Sequence, residues 1–133
     1  MANALYGKAR QAFLTGGLNW SSMTAKLVLV DSADYTLDID VHEFLSDIPA
    51  GARVATSGAL QNKTSVLGVA DADDILIAGV TGDRFEAVVL YSDTGTAGTS
   101  RLIAYWDSAT GLPLTPNGGN VITTFNALGI FKL

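Results

Sequence analysis

The sequence from Arg84 to Phe125 reads R-F-E-A-V-V-L-Y (84–91), S-D-T-G-T-A-G-T-S (92–100), R-L-I-A-Y-W-D (101–107), S-A-T-G-L-P-L-T-P-N-G-G-N (108–120) and V-I-T-T-F (121–125). Runs rich in β-branched and aromatic residues alternate here with clusters of Gly, Ser, Thr, Asn and Pro. This pattern is typical of consecutive antiparallel strands joined by turns. In Phe85–Tyr91 and Leu102–Trp106 both alternating faces are mostly apolar. We therefore expect these strands inside a sandwich, a barrel core or a subunit contact.

The N-terminal segment has the spacing of a helix. We predict a helix over Ala2–Leu14, because its apolar residues fall on one helical face: Leu5, Ala9, Ala12 and Phe13. Asn3 is the expected N-terminal cap, and Gly16 with Gly17 ends the helix. The small apolar face favours packing on the edge of the sheet. The alternative is an arm that docks on a neighbour, as the apolar tail Ala127–Leu133 would also do.

The remaining chain predicts short strands and turns. The expected strands are Ala25–Val30, Arg53–Thr56, Ser65–Ala70 and Ile75–Ala78. We expect Asp71–Asp74 to join the last two as a hairpin. Tyr35–Asp40 alternates, with Leu37, Ile39 and Val41 expected to point inward. Val41–Ile48 predicts one or two helical turns before Pro49.

These elements add up to one mainly β domain over residues 1–133. We expect an antiparallel β-sandwich or barrel of about seven or eight short strands with one N-terminal α-helix. Residues 1–17 would form the helix or arm, and residues 18–133 the β-core.

Composition excludes several classes of function. Charged residues make up 16% of the chain, against about 25% in typical soluble domains, which favours a surface partly covered by partners. The net charge of −5, with scattered basic residues, argues against nucleic acid. No apolar run is long enough for a membrane helix, and the first residues lack the pattern of a signal peptide. The absence of cysteine excludes disulfides and thiolate metal sites, and it is consistent with assembly in a reducing cytoplasm.

Acidic residues and the single histidine are the candidates for chemistry. Oxygen ligands for a cation such as calcium would come from Asp71, Asp73 and Asp74 together with Asp93 or Asp107. The spacing is not that of an EF-hand, so turns in which Asp bonds the local backbone are favoured. His42-Glu43 is not a metalloprotease motif, because Ser46 occupies the place of the second histidine. No G-x-S-x-G occurs, and the Gly-rich stretches 94–99 and 117–120 match no phosphate-binding loop. We therefore expect no enzyme, no cofactor and no metal.

Aromatic residues are the remaining candidates for binding. A stacking platform for sugars or bases would use Trp20, Tyr35, Tyr91, Tyr105 and Trp106. Tyr105 and Trp106 are adjacent, so on a strand they point to opposite faces. Packing in the core or at an interface is therefore favoured. The expected interface residues are Leu5, Tyr6, Phe13, Trp20, Tyr105, Trp106 and Phe131.

The order of several segments carries a resemblance. These segments are M-A-N-A-L-Y-G-K-A-R-Q-A-F-L-T-G-G (1–17), K-L-V-L-V-D (26–31), H-E-F-L-S-D-I-P-A-G-A-R-V-A (42–55), G-V-A-D-A-D-D (68–74), L-I-A-Y-W-D-S-A-T-G-L-P-L-T-P-N-G-G (102–119) and I-F-K-L (130–133). Together with Trp20 and Tyr35-Thr36 they make nearly the whole chain resemble a family of small virion structural proteins of tailed bacteriophages.

The resemblance implies a role without catalytic residues. It is closest to head decoration, or cement, proteins, which bind the outside of the capsid and stabilise the shell. The implied partners are the major capsid protein and sister subunits in a homotrimer, with the N-terminal segment and the loops Ser92–Ser100 and Leu112–Asn120 as contacts. The alternatives are a tail, collar or head–tail connector subunit, or a carbohydrate- or metal-binding β-module.

Overall fold

The structure, a computed structural model, describes residues 4–108, 112–125 and 128–133. Within these ranges the chain has one α-helix, α1 (Gly7–Thr15), and ten strands. The strands are β1 (Ala4–Leu5), β2 (Ala25–Val30), β3 (Arg53–Thr56), β4 (Thr64–Val66), β5 (Val69–Asp71), β6 (Ile75–Ile77), β7 (Ala87–Ser92), β8 (Arg101–Trp106), β9 (Val121–Thr123) and β10 (Phe131–Lys132). The predicted mainly β antiparallel class with one N-terminal helix is confirmed. The count of strands exceeds the seven or eight expected.

A five-stranded antiparallel sheet forms the centre of the fold, in the order β1-β8-β7-β2-β3. Its three central strands are β8, β7 and β2, and each is six residues long. Most of their side chains are buried, on both faces, which is why the sequence lacks a polar alternation. The register pairs Leu27 with Leu90 and Leu90 with Ala104, so one face of the sheet is continuous across three strands.

Two small sheets cover that face and make the fold sandwich-like. One has three strands in the order β10-β5-β4, and the other is a two-stranded ribbon of β6 and β9. The three-stranded sheet joins the main core through Ala70 and Phe131. The ribbon joins a second cluster, in which Ile77 packs with Leu29 and Phe85. The other face of the main sheet is covered by the segment after β2, where the Tyr35 ring lies 6.5 Å from that of Tyr105.

The helix packs on the sheet, as the favoured alternative predicted. It contacts β8, and its Ala9 and Ala12 are buried in the main core. It starts later than expected, because Ala4–Leu5 pairs with β8 as a strand instead of extending the helix. No side-chain cap bonds its start, and the expected cap Asn3 lies outside the described residues. Gly16 ends the helix at φ 83°, as predicted.

The hairpin predicted at Asp71–Asp74 is wrong. The chain reverses instead at Leu67-Gly68, between the cross-strand partners Val66 and Val69. Asp71 is the last residue of β5, and β6 pairs with the distant β9. A turn of two residues inside an apolar run leaves no polar cluster in the sequence, so the run looked like one strand.

The segment between β2 and β3 also differs from expectation. Its only helical structure among the described residues is a 3₁₀ turn at Leu45–Asp47 and another at Ala50–Ala52. Leu37 and Ile39 pack against the core, but Val41, expected to point inward, is 64% exposed. By contrast, β2 and β3 have the predicted bounds.

No helix in the described part of the chain combines the length and the apolarity that a bilayer crossing demands.

Candidate interaction surface

The seven residues expected at an interface divide into two groups. Tyr6, Trp20 and Tyr105 are only 0%, 6% and 4% exposed, so they pack the chain's own core. The structure corrects the expectation for these three, because a buried side chain has no surface to offer a partner. The other four are half-buried: Leu5, Phe13, Trp106 and Phe131.

The half-buried four are brought together around Phe131. Leu5, Trp106 and Phe131 line a shallow groove of about 170 Å³ between β1, β8 and β10. The Phe131 ring lies 5.8 Å from that of Phe13 and meets Trp20 edge-on at 5.4 Å. The C-terminal strand thus ties the helix and the small sheet to the main sheet. Each of these four side chains is therefore already partly covered within the chain.

A larger hollow lies on the other side of Trp106. It measures about 320 Å³, and its apolar wall consists of Leu27, Val88, Trp106, Leu112, Phe125 and Ile130. Ser108, Thr123 and Thr124 add hydroxyl groups, and none of the described residues that line it is charged. Without a charged or imidazole group, such a hollow offers apolar packing and no acid–base catalysis.

Exposed apolar side chains concentrate on the two small sheets, and the sequence did not reveal them. Leu76 and Ile122 are direct cross-strand partners on the ribbon of β6 and β9, and they are 47% and 65% exposed. We call this pair the ribbon face. On the three-stranded sheet, Val66, Leu67 and Leu133 are 65%, 94% and 58% exposed. The glycine inside the run Ser65–Ala70 was the only signal for the turn that exposes the first two of these.

The aspartates proposed as cation ligands do not come together. Asp71 accepts a hydrogen bond from the Ala72 N–H, Asp73 accepts one from the Asn62 amide, and Asp74 accepts one from the Phe125 N–H. These carboxylates therefore fix nearby backbone and loops. The bond of Asp71 is to the backbone of the next residue, which is the local interaction that the sequence analysis favoured for this cluster.

A different acidic group was missed. Among the described residues, the carboxylates of Asp31, Asp34 and Asp83 are the ones that approach within 4.8 Å of one another. Asp31 already accepts the Ala33 N–H in a local turn. An acidic cluster of this kind is not by itself a metal site.

His42 ends a chain of hydrogen bonds that leads into the core. Its Nδ1 accepts the Asp38 N–H at 3.3 Å and lies 2.8 Å from the Tyr35 hydroxyl. Because Nδ1 acts as an acceptor, Tyr35 donates to His42, and Tyr6 donates to Tyr35 over 3.0 Å. Burial and the bond to Tyr35 raise the pKa of Tyr6, and burial raises the pKa of Tyr35 to about 12. His42 thus braces the segment between β2 and β3 against the core.

Two half-buried ion pairs fix loops to strand ends. Lys26 and Asp93 are 2.9 Å apart, and Arg101 and Glu43 are 2.8 Å apart. The hydrogen bond from Lys26 and the Gly95 N–H lower the pKa of Asp93, and the same bond raises the pKa of Lys26. These pairs hold the ends of β2 and β8, and Glu43 and Arg101 also line a small hollow of about 130 Å³ beside α1.

A third carboxylate, Asp47, is held by backbone groups. Burial opposes its ionisation, but the N–H groups of Phe44 and Glu43 outweigh burial and lower its pKa. Like the two ion pairs, this contact fixes a loop and serves no reaction.

Comparison with known proteins adds no relative: no protein-family model matches the chain, and no curated protein matches it.

Proposed function

We propose that this chain is a non-enzymatic structural protein of a tailed-phage virion, which binds the outer surface of the capsid and stabilises the shell. The observation that carries the proposal is the ribbon face, a pair of large apolar side chains that point to solvent on a small sheet at the edge of the core. Single exposed apolar side chains are common, but contiguous ones such as this pair are a feature of interaction sites. The resemblance along the sequence supplies the class of partner, a capsid shell.

A shell favours a small binder with modest contacts. It presents the same site many times, so a contact of a few side chains gains from symmetry and multivalency. A decorating protein that bridges neighbouring capsid subunits opposes their separation under internal pressure. The packed core of this chain makes it a stiff bridge without disulfides.

The charge of the chain agrees with a position on the outside. A net charge of −5 disfavours contact with packaged DNA. The partners in this proposal are the major capsid protein and sister subunits, with a homotrimer as the assembly that the resemblance implies. The protein is made in the bacterial cytoplasm and ends in the virion.

The test is co-sedimentation of the purified protein with empty capsid shells of the parent phage. We expect saturable binding with a fixed number of copies per shell. The double variant Leu76→Ser/Ile122→Ser should lower occupancy at least tenfold at equal protein concentration, because it removes the ribbon face. Val41→Ser is the matched control, since Val41 is 64% exposed in the segment between β2 and β3, outside that face and outside the other segments expected to contact the shell.

Two other outcomes would contradict the proposal, the first its location on the capsid and the second its contact surface. A stable ring that ignores shells assigns the protein to the neck or tail of the virion. Saturable binding that Leu76→Ser/Ile122→Ser leaves unchanged shows that the ribbon face is not the contact. Light scattering with and without shells distinguishes a free trimer from a larger ring.

A further inference from the structure

The only histidine of the chain, His42, ends a row of hydrogen-bond donors that starts in the core. The Tyr6 hydroxyl donates to that of Tyr35, and Tyr35 donates to His42 Nδ1. The Asp38 N–H also points to Nδ1, at 3.3 Å, and a backbone N–H can only donate. Nδ1 is therefore an acceptor, and the neutral ring carries its hydrogen on Nε2. A proton that the ring takes up in acid must then go to Nδ1.

The row holds residues 35–42, which we call the covering segment, against one face of the main sheet. Tyr35 is 4% exposed and packs in the main core. The segment is also tied to the start of α1, where the Gly7 N–H donates to the Ile39 carbonyl over 2.8 Å. At the other end of the segment, His42 is only half-buried. The acceptor that ends the row therefore lies where the solvent reaches it.

Protonation of Nδ1 turns the acceptor at the end of the row into a donor. The Asp38 N–H then loses its partner. The Tyr35 hydroxyl can accept from the protonated ring only by donating to Tyr6 instead, which leaves the Tyr6 hydroxyl as a donor without an acceptor. Tyr6 is 0% exposed, and Tyr35 is the one partner of its hydroxyl among the described residues. A buried donor without an acceptor is strongly unfavourable, so the row cannot reverse without loss.

Charged groups outside the row favour the protonated ring. Burial opposes the ionisation of Asp47, but two backbone N–H groups and the charge of His42 outweigh burial and lower its pKa. Asp47 therefore stays ionised in mild acid. The other titratable and charged groups around the row are Tyr6, Tyr35, Tyr105, Asp38, the pair of Arg10 with Asp40 and the pair of Arg101 with Glu43. Protonation thus weakens the contacts of His42 towards the core and strengthens its contact with Asp47.

We propose that His42 is a pH-sensitive clasp, which holds the covering segment on the sheet while Nδ1 is unprotonated and releases the segment when Nδ1 takes up a proton. Histidine is the side chain that ordinarily changes its charge between pH 5 and 8. Release frees the ring to turn towards Asp47 and uncovers the face of β8 on which Tyr35 lies. The main sheet stays folded, because its five strands pair with one another and not with the segment.

The test is amide hydrogen exchange of the full chain at about pH 7.5 and about pH 5, with the chemical effect of pH on exchange removed. The amides of Gly7, Asp38 and His42 report the clasp, because each donates a hydrogen bond to the covering segment. We expect their protection to fall at least tenfold at the lower pH, while the amides of β2 and β7 stay protected. The midpoint should match the titration of the one histidine ring, followed by NMR.

Two variants separate protonation from packing. In His42→Asn the side-chain oxygen takes the place of Nδ1 as an acceptor and does not titrate, so protection should be the same at both pH values. Tyr35→Phe keeps the ring but removes the hydroxyl, and it should leave these amides poorly protected at both. A histidine ring that takes up its proton without loss of protection, or that stays neutral at about pH 5, overturns the inference. A pH effect that His42→Asn retains, or a Tyr35→Phe variant protected like the wild type, overturns it as well.

Discussion

Single residues hold the turns of this fold in backbone conformations that most side chains avoid. Asn62 and Leu67 have positive φ, at 54° and 50°. Asparagine tolerates this region, whereas for leucine it costs about 1–2 kcal/mol. Gly129 has φ 114°, and a β-carbon there would lie 2.3 Å from the Val69 side chain, so only glycine fits. Leu67 is thus the strained residue, and it is also 94% exposed.

Leu67→Asn should stabilise the isolated chain by about 1 kcal/mol, because Leu67 and Gly68 both have the positive φ of a type I′ hairpin turn, which asparagine prefers. The melting temperature, measured at low concentration, should rise by about 3–5 °C. Leu67→Ala is the control, since it removes the same exposed side chain but does not favour a positive φ. Equal melting temperatures for the two variants would contradict the strain at Leu67.

Among the secondary-structure elements, the sequence predicted the helix, which depends on local spacing, and the strands that are buried along their whole length. β2, β7 and β8 are buried on both faces, and their continuous apolar runs stand out in the sequence. The helix follows from its spacing and the glycines after it. The pairing of β6 with β9 was not predictable, because more than forty residues separate the strands and three-residue strands carry little pattern.

The candidate interaction surface was only partly predictable, again because contacts with distant parts of the chain decide which side chains are buried. Large aromatics at Tyr6, Trp20 and Tyr105 look alike in sequence whether they fill the core or cover a partner. Burial by the distant Tyr35 and Phe131 decides between the two, and no local pattern encodes it. The exposed residues Leu76 and Ile122 became visible only when the two strands were paired.

Deleting residues 1–17 should abolish cooperative unfolding, although the sequence suggested an arm separable from the β-core. The deletion removes β1, and with it Tyr6, Ala9 and Ala12 from the main core. It also leaves β8 as an unpaired apolar edge, which favours aggregation. Circular dichroism and thermal melting test this. A soluble truncated chain with a sharp melting transition would support the alternative that residues 1–17 are an arm separable from the β-core.

One pair of point variants tests the same packing without a deletion. Ala12→Asp places a charge at a position 4% exposed, and Gln11→Asp places the same residue at an exposed neighbour on α1. The first should destabilise the protein by about 3 kcal/mol or more, and the second by less than 1 kcal/mol. Similar losses for both would mean that α1 is not anchored in the core.

For the molecule as a whole, stability depends on packing and on a few fixed charges, since no cysteine is present. Four buried tyrosines, Tyr6, Tyr35, Tyr91 and Tyr105, have raised pKa values, each mainly through burial. Folding therefore opposes their ionisation, and this contribution is lost as the pH rises above about 10, where free tyrosine ionises. At the acid end the groups that matter are Asp47 and Asp93, whose pKa values are lowered.

The free energy of unfolding should accordingly fall below about pH 4, because Asp47 and Asp93 bind protons more readily in the unfolded chain than in the folded one. A lowered pKa gives stability that is present above the unfolded value and lost as the pH falls through the folded value. Asp93→Asn keeps the acceptor for the Gly95 N–H but removes the charge, so it should reduce the acid slope.

Urea unfolding at a series of pH values from 2 to 11 measures this dependence. Asp93 also raises the pKa of Lys26, and the charge of Asp47 adds to the raised pKa values of Tyr6 and Tyr35. Each Asp→Asn variant should therefore flatten the acid limb and also part of the alkaline limb above about pH 10. The double variant should lose most of the acid slope. An acid limb that both substitutions leave intact would mean that other carboxylates, or packing alone, set the pH range in which the protein is folded.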